Sequence, residues 1–227
     1  MTVTLKNLCK SYGPVPVLAG VTAQLAGHTV LWGPSGCGKT TLARILWGLE
    51  APDAGEVVLS GGPGEPGAGP KAPRVRRPFA RRPGGPWLAA VFQDDRLCGQ
   101  LTAVQNAALG CPAGTPQEKI LAAFEALGMA GAALATPAAL LSGGQRRRTA
   151  LVRAALSGAP GAVLDEPFRG LDAAARADAM AYVRQAFAGR FLLIATHDEA
   201  EAAFFGPQRL TLPLLYAPAA GEAPPTA

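Results

Sequence analysis

The sequence predicts an α/β fold with a parallel-rich sheet, an N-terminal antiparallel β subdomain and an inserted α-helical subdomain. Three observations predict it. Short apolar runs at 29–32, 88–92, 162–164 and 191–196 alternate with helical segments, the pattern of a parallel sheet joined by helices. A Gly-rich turn links the first run directly to a helix. An Ala-rich block over 101–141 carries Ile120, Leu121, Phe124 and Leu127 at spacings of three and four, the helical period. The 227 residues suffice for one large domain, expected over 1–216, with a flexible Pro/Ala tail at 217–227.

In chain order, residues 1–59 read as short strands and a hairpin, a Gly-rich turn and a helix over 39–48. The stretch 60–86 is dominated by Gly, Pro and Arg without apolar periodicity and is expected to be a mobile loop. A helical subdomain is expected over about 98–157. It is followed by a strand at 162–164, a helix over 173–188 and a strand at 191–196. Pro160 and Gly161 stand where bulkier apolar residues would reinforce the strand before Asp165, so that strand is expected to be weakened.

Composition narrows the function. The formal charge of +5 is concentrated in Arg74, Arg76, Arg77, Arg81 and Arg82, with no basic stripe interleaved with aromatics, so nucleic acid is not expected as a partner. Cys9, Cys37, Cys98 and Cys111 form no CxxC pair or zinc spacing, which suits reduced thiols in a cytosolic protein. Neither a signal peptide nor a membrane span is expected.

Gly33, Pro34, Ser35, Gly36, Cys37, Gly38, Lys39, Thr40 and Thr41 fit the phosphate-binding pattern GxxxxGK[ST] after an apolar strand, the mark of a P-loop nucleoside triphosphatase core. Glycines let backbone N–H groups approach phosphate oxygens, and the helix adds its positive end. Lys39 would reach the terminal phosphates and the Thr40 hydroxyl would ligate Mg²⁺. Asp165 and Glu166 end a buried-strand run, where one acid can organise Mg²⁺ and the other orient water. Gln93 and His197 also stand just past strand ends, the edge at which parallel sheets bind ligands. Taken singly, His197 also reads as a surface histidine and Asp165 as a helix N-cap.

Ser142, Gly143, Gly144 and Gln145 follow Leu141 and open another helix, a second potential anion site; an ordinary serine-capped helix is the plainer alternative. One nucleotide already has its phosphates wrapped by the first loop, so the second suggests a ligand shared between two subunits.

The string LSGGQ at 141–145, between GPSGCGKTT at 33–41 and VLDEP at 163–167, resembles the ATP-binding cassette ATPases, and the similarity covers nearly the whole chain in the family's order. The segments FQDDRL at 92–97 and THDEA at 196–200 resemble bacterial importer subunits for nitrate, sulfonate and taurine. The resemblance implies that Tyr12 stacks on adenine, that Gln93 senses the γ-phosphate and Mg²⁺ and faces a transmembrane partner, and that Asp165 contributes to the metal site. It implies Glu166 as general base, His197 at the γ-phosphate, and Asp172 in a loop that meets the opposite subunit. Ser142, Gly144 and Gln145 would contact ATP held by the other protomer.

It further implies a cytoplasmic ATPase on the inner face of the membrane. Its partners would be an identical or related ATPase subunit, integral membrane permeases and an extracytoplasmic solute-binding protein. Two alternatives stand beside it: a soluble cassette ATPase acting on DNA or ribosomes, and an ATP-dependent regulatory module outside transport.

Overall fold

A computed structural model describes residues 1–61 and 88–215. The tail expected at 217–227, and the loop expected at 60–86 apart from Ser60 and Gly61, lie outside the described residues. Of the described residues, 1–61 and 190–215 form one compact unit and 88–189 a second.

The first unit is built on two sheets. β1 (Thr2–Tyr12) pairs antiparallel with β2 (Val15–Ala26) on one side and β4 (Ala54–Ser60) on the other. Instead of several short strands, this region holds strands of 11 and 12 residues joined by a tight turn with Gly13 at φ 57°. Register shifts near Asn7, itself at φ 48°, explain why simple alternation was not legible there. Gly55 accommodates the bulge, since a Cβ there would lie 2.3 Å from the Asn7 carbonyl oxygen. Val3, Leu5 and Leu8 are fully buried. Ser60, expected in the loop, ends β4.

In the same unit β3 (His28–Trp32) lies parallel between β7 (Phe191–Thr196) and the three-residue β8 (Arg209–Thr211). Leu192 and Leu193 on β7 and Val30 and Leu31 on β3 are inaccessible, as strands covered on both faces should be. α1 (Lys39–Trp47) buries Leu42, Ala43, Ile45 and Leu46 and stops at Gly48, whose φ of 72° lets the closing N–H groups turn back to Ile45 and Arg44 carbonyls. α7 (Glu199–Phe205) is capped by Asp198, which accepts from Ala200 and Glu201 N–H.

The second unit pairs β5 (Leu88–Val91) parallel with β6 (Gly161–Asp165). β6 starts at Gly161 and every residue is buried, so Pro160 and Gly161 do not prevent the strand. Its helices are α2 (Ala103–Ala108), α3 (Gln117–Glu125), α4 (Ala132–Ala135), α5 (Gly143–Ala155) and α6 (Ala173–Ala186). α5 packs on α2, α3, α6 and β5 and so forms the unit's spine. Asn106 on α2 is fully buried and satisfied: Oδ1 accepts from Cys98 N–H at 2.8 Å, and Nδ2 donates to the carbonyls of Cys98, Leu101 and Thr102 at 3.0 Å each.

Candidate functional site

The first unit carries the candidate phosphate loop. β3 delivers the chain to Gly33, where a Cβ would sit 2.5 Å from Cys37 Sγ and 2.8 Å from the Leu212 carbonyl oxygen. Gly38 caps α1 at φ 95°, and a Cβ there would lie 2.8 Å from Val17 Cγ1. Both positions therefore demand glycine for local reasons. At Gly36 an added Cβ would meet nothing within 4 Å, so the mouth of the loop opens outward. Among the described residues no side chain caps α1, which leaves its positive end facing that mouth.

Lys39 is 6% exposed, and its Nζ donates to the carbonyls of Gly33 at 2.7 Å and Pro34 at 2.9 Å, so the ammonium is held within the loop. Burial pushes the Cys37 thiol up, opposed by the Lys39 charge, so the thiol stays protonated beside the loop.

Tyr12 ends β1. Its hydroxyl donates to Glu50 Oε2 at 2.7 Å, and Lys10 Nζ lies 5.6 Å from its ring centroid while pairing with Asp53 at 2.9 Å and Glu50 at 3.5 Å. Burial, then the hydrogen bond to Glu50, raise the phenol above its ordinary range and keep it neutral. His197 follows β7 and is exposed. The chain around it is pinned: buried Thr196 Oγ1 donates to Glu201 Oε2 at 2.5 Å and accepts from Asp198 N–H at 3.1 Å. The parallel register sets Trp32 beside Thr196, so the phosphate loop and His197 leave the same sheet edge.

The second unit carries the other candidates. Register pairs Val91 with Leu164, so Gln93 stands two residues beyond one strand at the edge where Asp165 and Glu166 emerge from the other. Asp165 is 1% exposed and belongs to β6 instead of capping a helix. Glu166 has φ 45°, a left-handed conformation uncommon for a residue with a side chain. Its Oε2 lies 3.4 Å from Arg169 Nη1.

Ser142 caps α5 in a reciprocal box: its Oγ accepts from Gln145 N–H at 3.2 Å, and Gln145 Oε1 accepts from Ser142 N–H at 2.9 Å. The plainer reading of this serine is therefore satisfied locally. It does not explain Gly143, where a Cβ would meet nothing within 4 Å, or exposure of Ser142 and Gly143. Asp172 caps α6 by accepting from Ala175 N–H at 2.9 Å, a local role the motif did not reveal. A cavity of about 440 Å³ beside Gln93 is lined by Asp94, Asp95, Leu97, Ala138 and Arg146 among others.

Sequence reasoning missed Glu50, Glu201, Arg147 and Arg153, all holding site loops in place. Asp198 three residues before Glu201 was a legible capping signal. The others depend on contacts 38 or more residues apart and left no local trace.

As to cofactors, the Thr40 hydroxyl in the first unit and the buried Asp165 carboxylate in the second are each a hard oxygen donor of the kind Mg²⁺ takes. The open glycine loop with its buried Lys39 likewise suits a polyphosphate.

Comparison with known proteins agrees with this geometry. The family model described as ABC transporter matches residues 20–169. The chain is similar to the Fe(3+) ions import ATP-binding protein FbpC of Mesorhizobium japonicum, at 40% identity over 211 residues, covering 90% of this chain and 56% of that protein. It is similar also to the aliphatic sulfonates import ATP-binding protein SsuB of Pseudomonas putida, at 36% identity over 201 residues, covering 87% of this chain and 67% of that protein. The chain thus spans little more than half the length of the iron-type relative. Among solved structures, the dimeric ATP-binding cassette MJ0796 in a post-hydrolysis state bound to ADP and Pi superposes with a TM-score of 0.75 at 23% identity, over 92% of this chain and 94% of that one, a likeness of fold. The α/β P-loop fold follows, and with the family model matched over more than half its residues this chain belongs to the ABC transporter family.

Proposed function

We propose that this chain is the ATP-binding and ATP-hydrolysing subunit of a transporter that imports a small solute through separate membrane permease subunits. It would form a single cassette over 1–216 and work in pairs. The observation that carries the reading is the second helix opening at Ser142: among the described residues nothing lies within 4 Å of a Cβ added at Gly143, and that open glycine face leaves room for a ligand to approach the helix start. A phosphate already wrapped by a partner's loop fits that description.

In this reading Tyr12 receives adenine, and the loop Gly33–Thr41 cradles the phosphates with Lys39 as point charge. By the family resemblance Thr40, Asp165 and Gln93 would hold Mg²⁺, which would neutralise charge on the phosphates. Glu166 accepts a proton from the attacking water, a role favoured by a carboxylate next to, but more exposed than, Asp165. His197 supports developing charge on the terminal phosphate. Ser142, Gly143, Gly144 and Gln145 close over the ATP of the opposite protomer, and the loop of Asp172 meets that protomer. Hydrolysis removes the γ-phosphate that bridges them, and the pair opens.

The cavity beside Gln93 supports docking of a permease segment there. No helix of the described residues is long and apolar enough to cross a membrane. The likeness to import ATP-binding proteins supports a peripheral place on the cytoplasmic face with spanning subunits supplied by other chains. Iron(III) ions and aliphatic sulfonates appear in the names of relatives similar to this one chain, which supports solute contacts lying elsewhere, including on an extracytoplasmic binding protein. Steady-state phosphate release tests the reading. Wild type should turn over ATP and Glu166→Gln should lose about 10²-fold or more in kcat while still binding ATP; equal turnover by both removes Glu166 as base.

A further inference from the structure

The loop that follows β5 is held by α5, and the grip is made almost wholly on backbone carbonyls. Arg147 Nη1 donates to the Phe92 carbonyl at 2.8 Å and Nη2 to the Gln93 carbonyl at 2.6 Å, while Nε lies 3.2 Å from Asp95 Oδ1. Arg153, on the same helix, donates to the carbonyls of Asp95 at 2.8 Å and Arg96 at 2.7 Å. Two guanidinium forks thus take four carbonyls within five residues. Arg96 is held at φ 49°, a conformation the loop would not keep unaided.

Arg147 is only 5% exposed, and burial pushes its guanidinium down, opposed by Asp95. A desolvated arginine committed to carbonyls 54 and 55 residues away does more than decorate a helix surface. It sits five residues after Ser142, about 7.5 Å along a rigid helix.

We propose that Arg147 is a positioning residue that fixes the Gln93 backbone to the helix start at Ser142–Gln145, so that loop and helix start move as one piece. This rests on the functional reading above: Gln93 feels one nucleotide and the permease, Ser142–Gln145 the other nucleotide, and Arg147 makes the connection. Lysine cannot replace it, because one ammonium on a flexible stem cannot hold two neighbouring carbonyls and a carboxylate in a fixed plane.

The test compares wild type with Arg147→Lys and Arg147→Gln, the glutamine variant being neutral and so cheaper to bury should lysine fail to fold. Hydrogen exchange over residues 92–97 of the nucleotide-free protein reads the grip without reference to activity. ATP Kd and kcat are then measured separately. The expected result for the Arg147 variants is exchange faster by about tenfold, Kd within about twofold of wild type, and kcat lower by about tenfold.

Unchanged exchange overturns the grip. Faster exchange with unchanged kcat overturns the coupling, and Kd worsening in step with kcat reduces Arg147 to general structural support. A wild-type protein that releases no phosphate defeats the functional reading instead, and the exchange result still decides whether Arg147 holds the loop.

Discussion

Replacing Gly143 by alanine should make the protein more stable and less active at once. Gly143 is the first residue of α5 and has no positive φ, so alanine fits its backbone without strain. An added Cβ would meet nothing within 4 Å, so no clash offsets the gain. Restricting the unfolded chain should contribute about 0.4–1 kcal/mol, and for a chain of this size that raises Tm by about 1–4 °C. Within the monomer nothing predicts a functional defect. If a partner's phosphate must approach the N–H groups there, a methyl in its path should lower kcat by about tenfold or more, through lost pairing. Thermal unfolding and phosphate release on the same preparation read both effects. A variant that is stabilised and fully active refutes the idea that the open face at Gly143 receives anything.

Three further outcomes follow from the first unit. Gly38→Ala combines φ 95° with a contact of 2.8 Å to Val17 Cγ1 and 3.0 Å to the Val17 carbonyl. It should destabilise by about 2–4 kcal/mol in urea titration, where Gly36→Ala, strained in φ but free of contacts, should lose about 1–2. Tyr12→Phe removes the hydroxyl's bond to Glu50 and should weaken ATP binding about two- to fivefold in a fluorescent-nucleotide titration, with kcat little changed. The Lys10 ammonium and the Ser11 N–H hold the Asp53 carboxyl below its ordinary 3.8, so the stability it adds is present above that pH and lost as pH falls through the lower folded value. Asp53→Asn should therefore flatten the acid limb of the stability curve and, because Asp53 in turn raises the Lys10 ammonium, also remove the stability that is lost at high pH as Lys10 titrates, as acid and alkaline titrations of both proteins would show.

What was legible in the sequence was local. A glycine pattern after an apolar run marked out the candidate phosphate loop because the pattern of Gly33, Gly36, Gly38 and Lys39 is set within seven residues. The strand before Asp165 was legible from three apolar residues, but its start was misjudged: a buried edge-to-edge pairing with β5 needs backbone more than side chains, so Gly161 serves. The long strands β1 and β2 were hidden by the bulge at Asn7, which breaks the two-residue period. β8 was missed because three residues beside β3 carry no pattern of their own. Asp172 and Ser142 were read for distant roles, and the structure shows that both also cap their helices. The ties that hold Tyr12 and the Gln93 loop, through Glu50, Arg147 and Arg153, join residues far apart in the chain, and only the fold brings them together.

The account turns on two chains sharing each nucleotide, and sedimentation of Glu166→Gln with saturating ATP and magnesium tests that most directly. The expected result is a monomer that becomes a dimer holding one ATP per chain, and that fails to do so when Gly143→Ala is added. A protein that binds ATP to saturation yet stays monomeric contradicts it.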